Sequence, residues 1–159
     1  MTTSTHPYFG SLSTADLDDF DVIWERELPL GPLTVETALW ADADTPLATA
    51  TLDDFAALLG RLPEVDGQAR AALTAYLTAE DSYLTFHVQE MEGGDQLPTD
   101  PAAFAAAMVL HHVGLWLADP DKEEPGVVLD YLIDPEHTDE ILAVKLTPSG
   151  EHLTVAWES

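Results

Sequence analysis

The chain contains no cysteine. That excludes disulfides, thiolate zinc sites and a cysteine nucleophile, but it leaves the compartment open, because exported proteins also do without cysteine. Basic residues are nearly as scarce: five Lys plus Arg stand against thirty Asp plus Glu, a formal net charge of −25. Such a surface repels phosphate and anionic lipid, so neither nucleic acid nor a membrane is an expected direct partner. No run approaches the ~18–20 apolar residues needed to span a bilayer. The opening "MTTSTHPYFG" has no basic segment ahead of an apolar one. The expectation is a soluble, cytoplasmic protein. Catalytic signatures are missing too: no glycine-rich phosphate loop, no GxSxG elbow, no HExxH and no dinucleotide fingerprint. The sequence therefore implies no cofactor, and it leans away from an enzyme.

What is present is a hydrophobic fraction of 46%, ordinary for a globular protein and too high for a disordered one. A length of 159 residues fits one domain spanning 1–159 with a self-sufficient core. The acidity has three readings. It can be general, serving solubility or a saline cytoplasm. It can attract a basic protein and speed the encounter. It can mimic phosphate, although the acids are spread along the chain without a long acidic tail.

Hydrophobic periodicity supplies the layout. "YFGSL" suits a short edge strand or turn. Phe20, Val22, Trp24, Leu28 and Leu30 share one parity, and Asp21, Glu25 and Glu27 the other, which predicts a half-buried strand. After "PLGP", Leu33, Val35, Leu39 and Ala41 alternate with Thr34, Glu36 and Trp40, predicting the return strand of a hairpin. Thr51 and Asp54 then resemble a capping box, and Leu52, Phe55, Leu58, Leu59 and Leu62 form a helical stripe that Pro63 is expected to end. "DGQARAALTAYLTAE" predicts a second helix with Ala69, Leu73, Tyr76 and Leu77 inward. "SYLTFHVQEM" fits helix and strand equally. Asp100 before Pro101 marks another helix start. Four strands follow: Val109–Leu117, then one through Val127, Leu129, Tyr131 and Ile133, then "ILAVKL" and "HLTVAW". Short polar turns between consecutive strands predict an α+β fold: an antiparallel sheet of about six strands, an N-terminal hairpin plus a C-terminal meander, with three to four central helices on one face.

Candidate chemistry is sparse. His111 and His112 sit together in "MVLHHVGLWLADPD". On a regular strand they face opposite ways, His111 with Val109, Val113 and Leu115, and His112 with Leu110, Gly114 and Trp116. They are then poor partners for one metal ion, although either can combine with His87, His137 or His152 across the sheet. The expectation is one histidine hydrogen-bonded under the helices and one facing water or a loop. "DPDKEEPGVVLD" offers Asp119, Asp121, Glu123 and Asp130 at calcium-loop positions one, three, five and twelve. It lacks the glycine at six and the glutamate at twelve, so it reads as a solvated turn. His111, His112, Asp119 and Asp121 are thus weak metal candidates. For protein interaction, exposed aromatics are the anchors to look for. Trp40 lies on the polar parity of its strand and is a better candidate than Trp24; the competing reading buries Trp40 beneath helices. Asp42 and Asp44 on the "DADTP" loop, and Glu123 and Glu124 in the acidic turn, complete the candidate surface.

The C-terminal third, from "FAAAMVLHHVGLWLADPDKEEPGVVLDY" to "LTVAWES", resembles an uncharacterised bacterial family catalogued as domain of unknown function two-thousand-and-four. Asp130, Tyr131, Ile133, Thr138, Asp139, Ile141, Leu142, Val144, Gly150, Glu158 and Ser159 carry the resemblance, and "YFGSL", "WERELPLGPLTVETALW" and "LDDFAALLGRL" extend it. It implies a small α+β domain and no catalytic residues. Similar small domains occur among immunity proteins of bacterial toxin systems, which implies a non-enzymatic module neutralising a basic partner. The alternative from the residues alone is a small metal-binding protein or hydrolase using His and Asp/Glu.

Overall fold

The computed structural model describes residues 3–118, 124–151 and 153–158. A short hairpin, β1 (Thr3–His6) and β2 (Gly10–Ser13), precedes the long hairpin of β3 (Asp21–Leu30) and β4 (Leu33–Ala41). The tight turn between β3 and β4 uses Gly31 at a φ of 59°, where a side chain is strained. Helices α1 (Thr49–Leu59), α2 (Leu62–Ala79), α3 (Ser82–Glu90) and α4 (Pro101–Ala107) follow. The chain then forms β5 (Val109–Trp116), β6 (Gly126–Leu132), β7 (Ile141–Leu146) and β8 (Thr154–Glu158). None of the described helices is long and apolar enough to cross a membrane.

The main sheet has six strands in the order β3-β4-β5-β6-β7-β8, with β1 and β2 forming a separate pair. The expected purely antiparallel sheet is corrected at one seam: β4 and β5 run parallel, with Glu36 opposite His112 and Trp40 opposite Trp116. The cause is the connection. A parallel neighbour needs a long crossover, and the whole helical segment α1–α4 supplies it, carrying the chain back to the end where β4 began. The other four pairings are antiparallel, as short turns dictate.

The helices differ from expectation mainly at their ends. Helix α1 begins at Thr49 and its N-cap, Ala48, makes no side-chain cap, so Thr51 and Asp54 form no capping box. Pro63 does not end α1; it sits in the first turn of α2, where its missing N–H costs nothing. The break falls at Gly60 and Arg61. The ambiguous segment is helix α3, burying Tyr83, Leu84 and His87. Asp100 does cap α4, its Oδ2 accepting from the Ala103 N–H at 3.0 Å.

The helices bury Leu52, Phe55, Leu58, Val65, Ala69, Leu73, Leu77 and Phe104 against Val35, Leu39, Val113, Leu115, Leu129, Tyr131, Leu142 and Val144 in one apolar cluster. Polar stitches orient this layer. The Tyr131 hydroxyl donates to Asp66 Oδ1 at 2.6 Å, and Arg70 pairs with Asp66. Arg70 Nη1 also donates to the Ala105, Ala106 and Met108 carbonyls, satisfying the C-terminal end of α4. The His87 Nδ1–H donates to the Tyr83 carbonyl at 2.7 Å, so Nε2 accepts from the Thr138 hydroxyl at 3.0 Å. The Tyr83 hydroxyl donates to the Glu140 carbonyl and Trp157 Nε1–H to the Glu140 carboxylate. Burial holds the His87 imidazole below the ordinary histidine range, against the opposing pull of the Tyr83 carbonyl and the Glu140 charge. His6 pins the small hairpin to α1: its Nδ1 accepts from the Tyr8 N–H, leaving Nε2–H to donate to Asp53 at 2.7 Å.

Candidate interaction face

Two β-bulges decide which side chains reach the face of the sheet opposite the helices. In β3 the register shifts between Val22 and Trp24. Trp24 pairs with buried Leu39 on the helix side, but Val22 pairs with Trp40 on the other side. The expected shared parity of Phe20, Val22 and Trp24 is therefore broken at Ile23, as a one-residue slip requires. Phe20 instead reaches Trp116 on the helix-free side, with ring centroids 5.9 Å apart.

The second bulge falls between Leu110 and His112. Leu110 is buried opposite Tyr131 in the core, while His112 stands opposite Asp130 on the helix-free face. The expectation that His111 and His112 point to opposite faces is thereby corrected, because His111 is the extra residue of the bulge. Neither histidine lies under the helices. His111 is exposed, and its charge bears on both His112 and Asp130. The same correction removes the expected buried, hydrogen-bonded member of the pair; among the described residues, the buried histidines are His6 and His87.

The resulting face has an aromatic end and an acidic middle. Trp40 and Trp116, brought level by the parallel register, stack at 4.8 Å with planes 10° apart. Trp40 is half-buried, not covered by helices, and its Nε1–H has no partner. Gly114 makes room for the stack: a Cβ there would lie 2.9 Å from Trp116 Nε1. We expect Gly114→Val to push the Trp116 indole aside and abolish the exciton couplet that two stacked indoles give in ultraviolet circular dichroism. An unchanged couplet would mean that the pair does not stack as described.

Beside the stack, Glu25, Glu27, Glu36, Ala38 and His112, together with Arg26 and Thr37, line a shallow depression of about 300 Å³. Glu27 and Glu36 are direct cross-strand neighbours, an arrangement of like charges that costs stability. Asp130 follows in the same row, 4.0 Å from His112 Nδ1. Beyond it, Lys145 pairs with Glu158 at 3.0 Å. Burial, helped by the Glu158 charge, pushes the Asp130 carboxyl up to about 6, with His111 and Lys145 opposing. Burial also lowers His112, with Glu36 pulling the other way and His111 adding to the depression.

The remaining sequence candidates have other roles. Asp42 Oδ1 accepts from the Asp44 N–H and the Thr45 hydroxyl, closing the loop after β4. Glu124 borders a second depression beside Trp116, Gly126 and Lys145. Asp119, Asp121, Glu123 and His152 lie outside the described residues. Among the described residues, the group bringing three ligand atoms within 4.8 Å of one another is Asp134, Glu136 and His137, and it does not include His111 or His112. Asp134 is already engaged there: Oδ1 accepts from the Glu136 N–H, and Oδ2 from His137 Nδ1 at 2.8 Å. That bond holds Asp134 below its ordinary range and His137 above.

The residues missed as site candidates are Glu25, Glu27, Glu36, Gly114 and Trp116; Asp130 figures in the sequence as position twelve of a calcium-like turn, not as part of an interaction face. Alternation placed the first three on a wet face, but only the parallel register brings Trp116 and His112 beside them. Compared with family models, curated proteins and solved structures, the chain matches none.

Proposed function

We propose that this protein is a non-enzymatic interaction module that docks a basic protein on the helix-free face of its sheet. The observation that carries the reading is the composition of that face: a stacked Trp40–Trp116 pair bordered by Glu25, Glu27, Glu36 and Asp130. Aromatic anchors supply buried contact, and surrounding charge supplies encounter rate and selectivity. The occupant is a cationic protein rather than a second copy of this chain, because two faces of −25 chains repel one another. The Glu27–Glu36 opposition supports the same view, since it costs stability and is relieved by a partner's cation. An immunity-like role, implied by the C-terminal resemblance, is the biological form this activity would take.

The test is titration with a labelled oligo-arginine peptide near neutral pH. The combined substitutions Glu25→Gln, Glu27→Gln and Glu36→Gln should weaken binding about tenfold, roughly 1.4 kcal/mol. Asp54→Asn, Glu64→Gln and Glu90→Gln, which remove the same charge from exposed helix positions, should change it about twofold at most. Raising salt should narrow the difference as charges are screened. Equal losses in the two variants would mean that net charge alone attracts the peptide and that the face has no special part.

A further inference from the structure

The bulge at His111 brings protonatable side chains together at the centre of the docking face. Histidine is the ordinary proton-exchanging side chain of proteins; His112 on β5 stands opposite Asp130 on β6, its Nδ1 4.0 Å from the carboxylate, and the exposed His111 at the bulge is near enough to bear on both. The charges that bear on Asp130 from the neighbouring strands are Glu158 on β8 and Lys145 on β7, and Glu36 on β4 bears on His112; Glu25, Arg26 and Glu27 on β3 line the depression further along the row. Four of these six are acidic, so the face carries net negative charge until protons arrive.

We propose that docking at this face is proton-gated: the His111–His112–Asp130 cluster holds a cationic partner when deprotonated and releases it as the medium acidifies. The inference rests on the docking reading above and assigns its regulation. Each proton changes the face in the same sense. Protonation of Asp130 removes a negative charge, and protonation of either imidazole adds a positive one. A cation seated there favours the deprotonated forms, so binding expels protons and affinity must fall as they are added. The carboxyl of Asp130 titrates at about 6, far above an ordinary aspartate, so the change falls between neutral and mildly acidic pH. The aromatic stack has no titratable group. The switch therefore alters the charge of the face without dismantling it.

Oligo-arginine binding to the full chain, measured from about pH 7.5 to about pH 5.5 at constant ionic strength, tests the proposal. The wild type should weaken roughly three- to tenfold, as expected for one to two linked protons. Asp130→Asn combined with His111→Gln and His112→Gln should bind more weakly at the upper pH and vary by no more than about twofold across the range. His6, His87, His137 and His152 remain in that variant and report any pH effect from elsewhere. A wild-type curve that is flat, or a variant curve that is as steep as the wild type, overturns proton gating while the docking reading stands. Binding at the upper pH that ignores Glu25→Gln, Glu27→Gln and Glu36→Gln overturns the docking reading and this inference with it.

Discussion

Replacing Asp130 with asparagine is expected to stabilise the protein at neutral pH by on the order of 1–2 kcal/mol, where most changes at semi-buried polar positions destabilise. Asp130 has about a quarter of its side chain exposed, 4.0 Å from His112. Its carboxyl is pushed up to about 6 by burial and by Glu158. A rise of that size corresponds to ~3 kcal/mol at most, and solvent at the exposed quarter reduces that figure. The sign follows from proton binding. Between about pH 4 and pH 6 the native state holds a proton that the unfolded chain has lost, so stability falls as pH rises through this window. Above it the native state carries the full cost of a charged Asp130; below it both states are protonated and the cost vanishes. The gain from asparagine should accordingly be full above about pH 7 and absent near pH 4, read from urea midpoints at each pH. A gain that persists unchanged at low pH, or none at either, would show that the carboxylate is not under this penalty. Stability and docking are expected to move oppositely at this position, a trade familiar from binding surfaces.

Arg70→Ala should produce the opposite and larger effect, a loss of roughly 3–5 kcal/mol. Arg70 is one of only five basic residues in the chain, and its guanidinium joins three elements. It pairs with Asp66, whose side chain is 16% exposed, lies over the Tyr131 ring at 5.3 Å, and holds carbonyls at the end of α4. Removing it leaves the Asp66 carboxylate without its cation in a poorly solvated site and takes the guanidinium donor from the Ala105 and Met108 carbonyls, which adds a desolvation cost. For a chain of this length the melting temperature should fall by roughly 6–20 °C. Lysine at the same position should recover only part of the loss, because a single ammonium cannot replace a planar fork that bonds on two sides. A loss under about 1 kcal/mol for Arg70→Ala would mean that α4 is held by apolar packing alone.

How much of this was legible in the sequence follows from the range of the signal. Alternation in "WERELPLGPLTVETALW" correctly put Glu25, Glu27, Glu36 and Trp40 away from the core, because side-chain parity is local. It failed for Phe20 and Val22, and for His111, at the two bulges. A bulge inserts one residue without changing composition, and everything on one side of it flips. The neighbours of Trp40 were out of reach for a different reason. That β4 runs parallel to β5 is set by how four helices pack before the chain returns, and no local pattern encodes it. The histidine pair shows both limits together: its adjacency argued against a shared face under regular geometry, and the bulge restored one. Several residues of the C-terminal third proved to be stitches between layers. Tyr131 reaches Asp66, and Thr138 reaches His87. Asp130, by contrast, stands on the open face.

The claim that the helix-free face is the docking surface is tested most directly by mapping oligo-arginine onto the amide and indole N–H signals of the protein by NMR. The chain has four tryptophans, and the fold divides them evenly. Trp40 and Trp116 belong to the proposed face, whereas Trp24 packs against Phe9 and Trp157 against Tyr83 on the helix side. Saturable shifts of the Trp40 and Trp116 indoles and of the amides around Glu36, His112 and Asp130, with Trp24, Trp157 and the exposed helix surfaces unmoved, are the predicted result. Shifts concentrated on α1 and α2, or spread evenly over all four indoles, would contradict it.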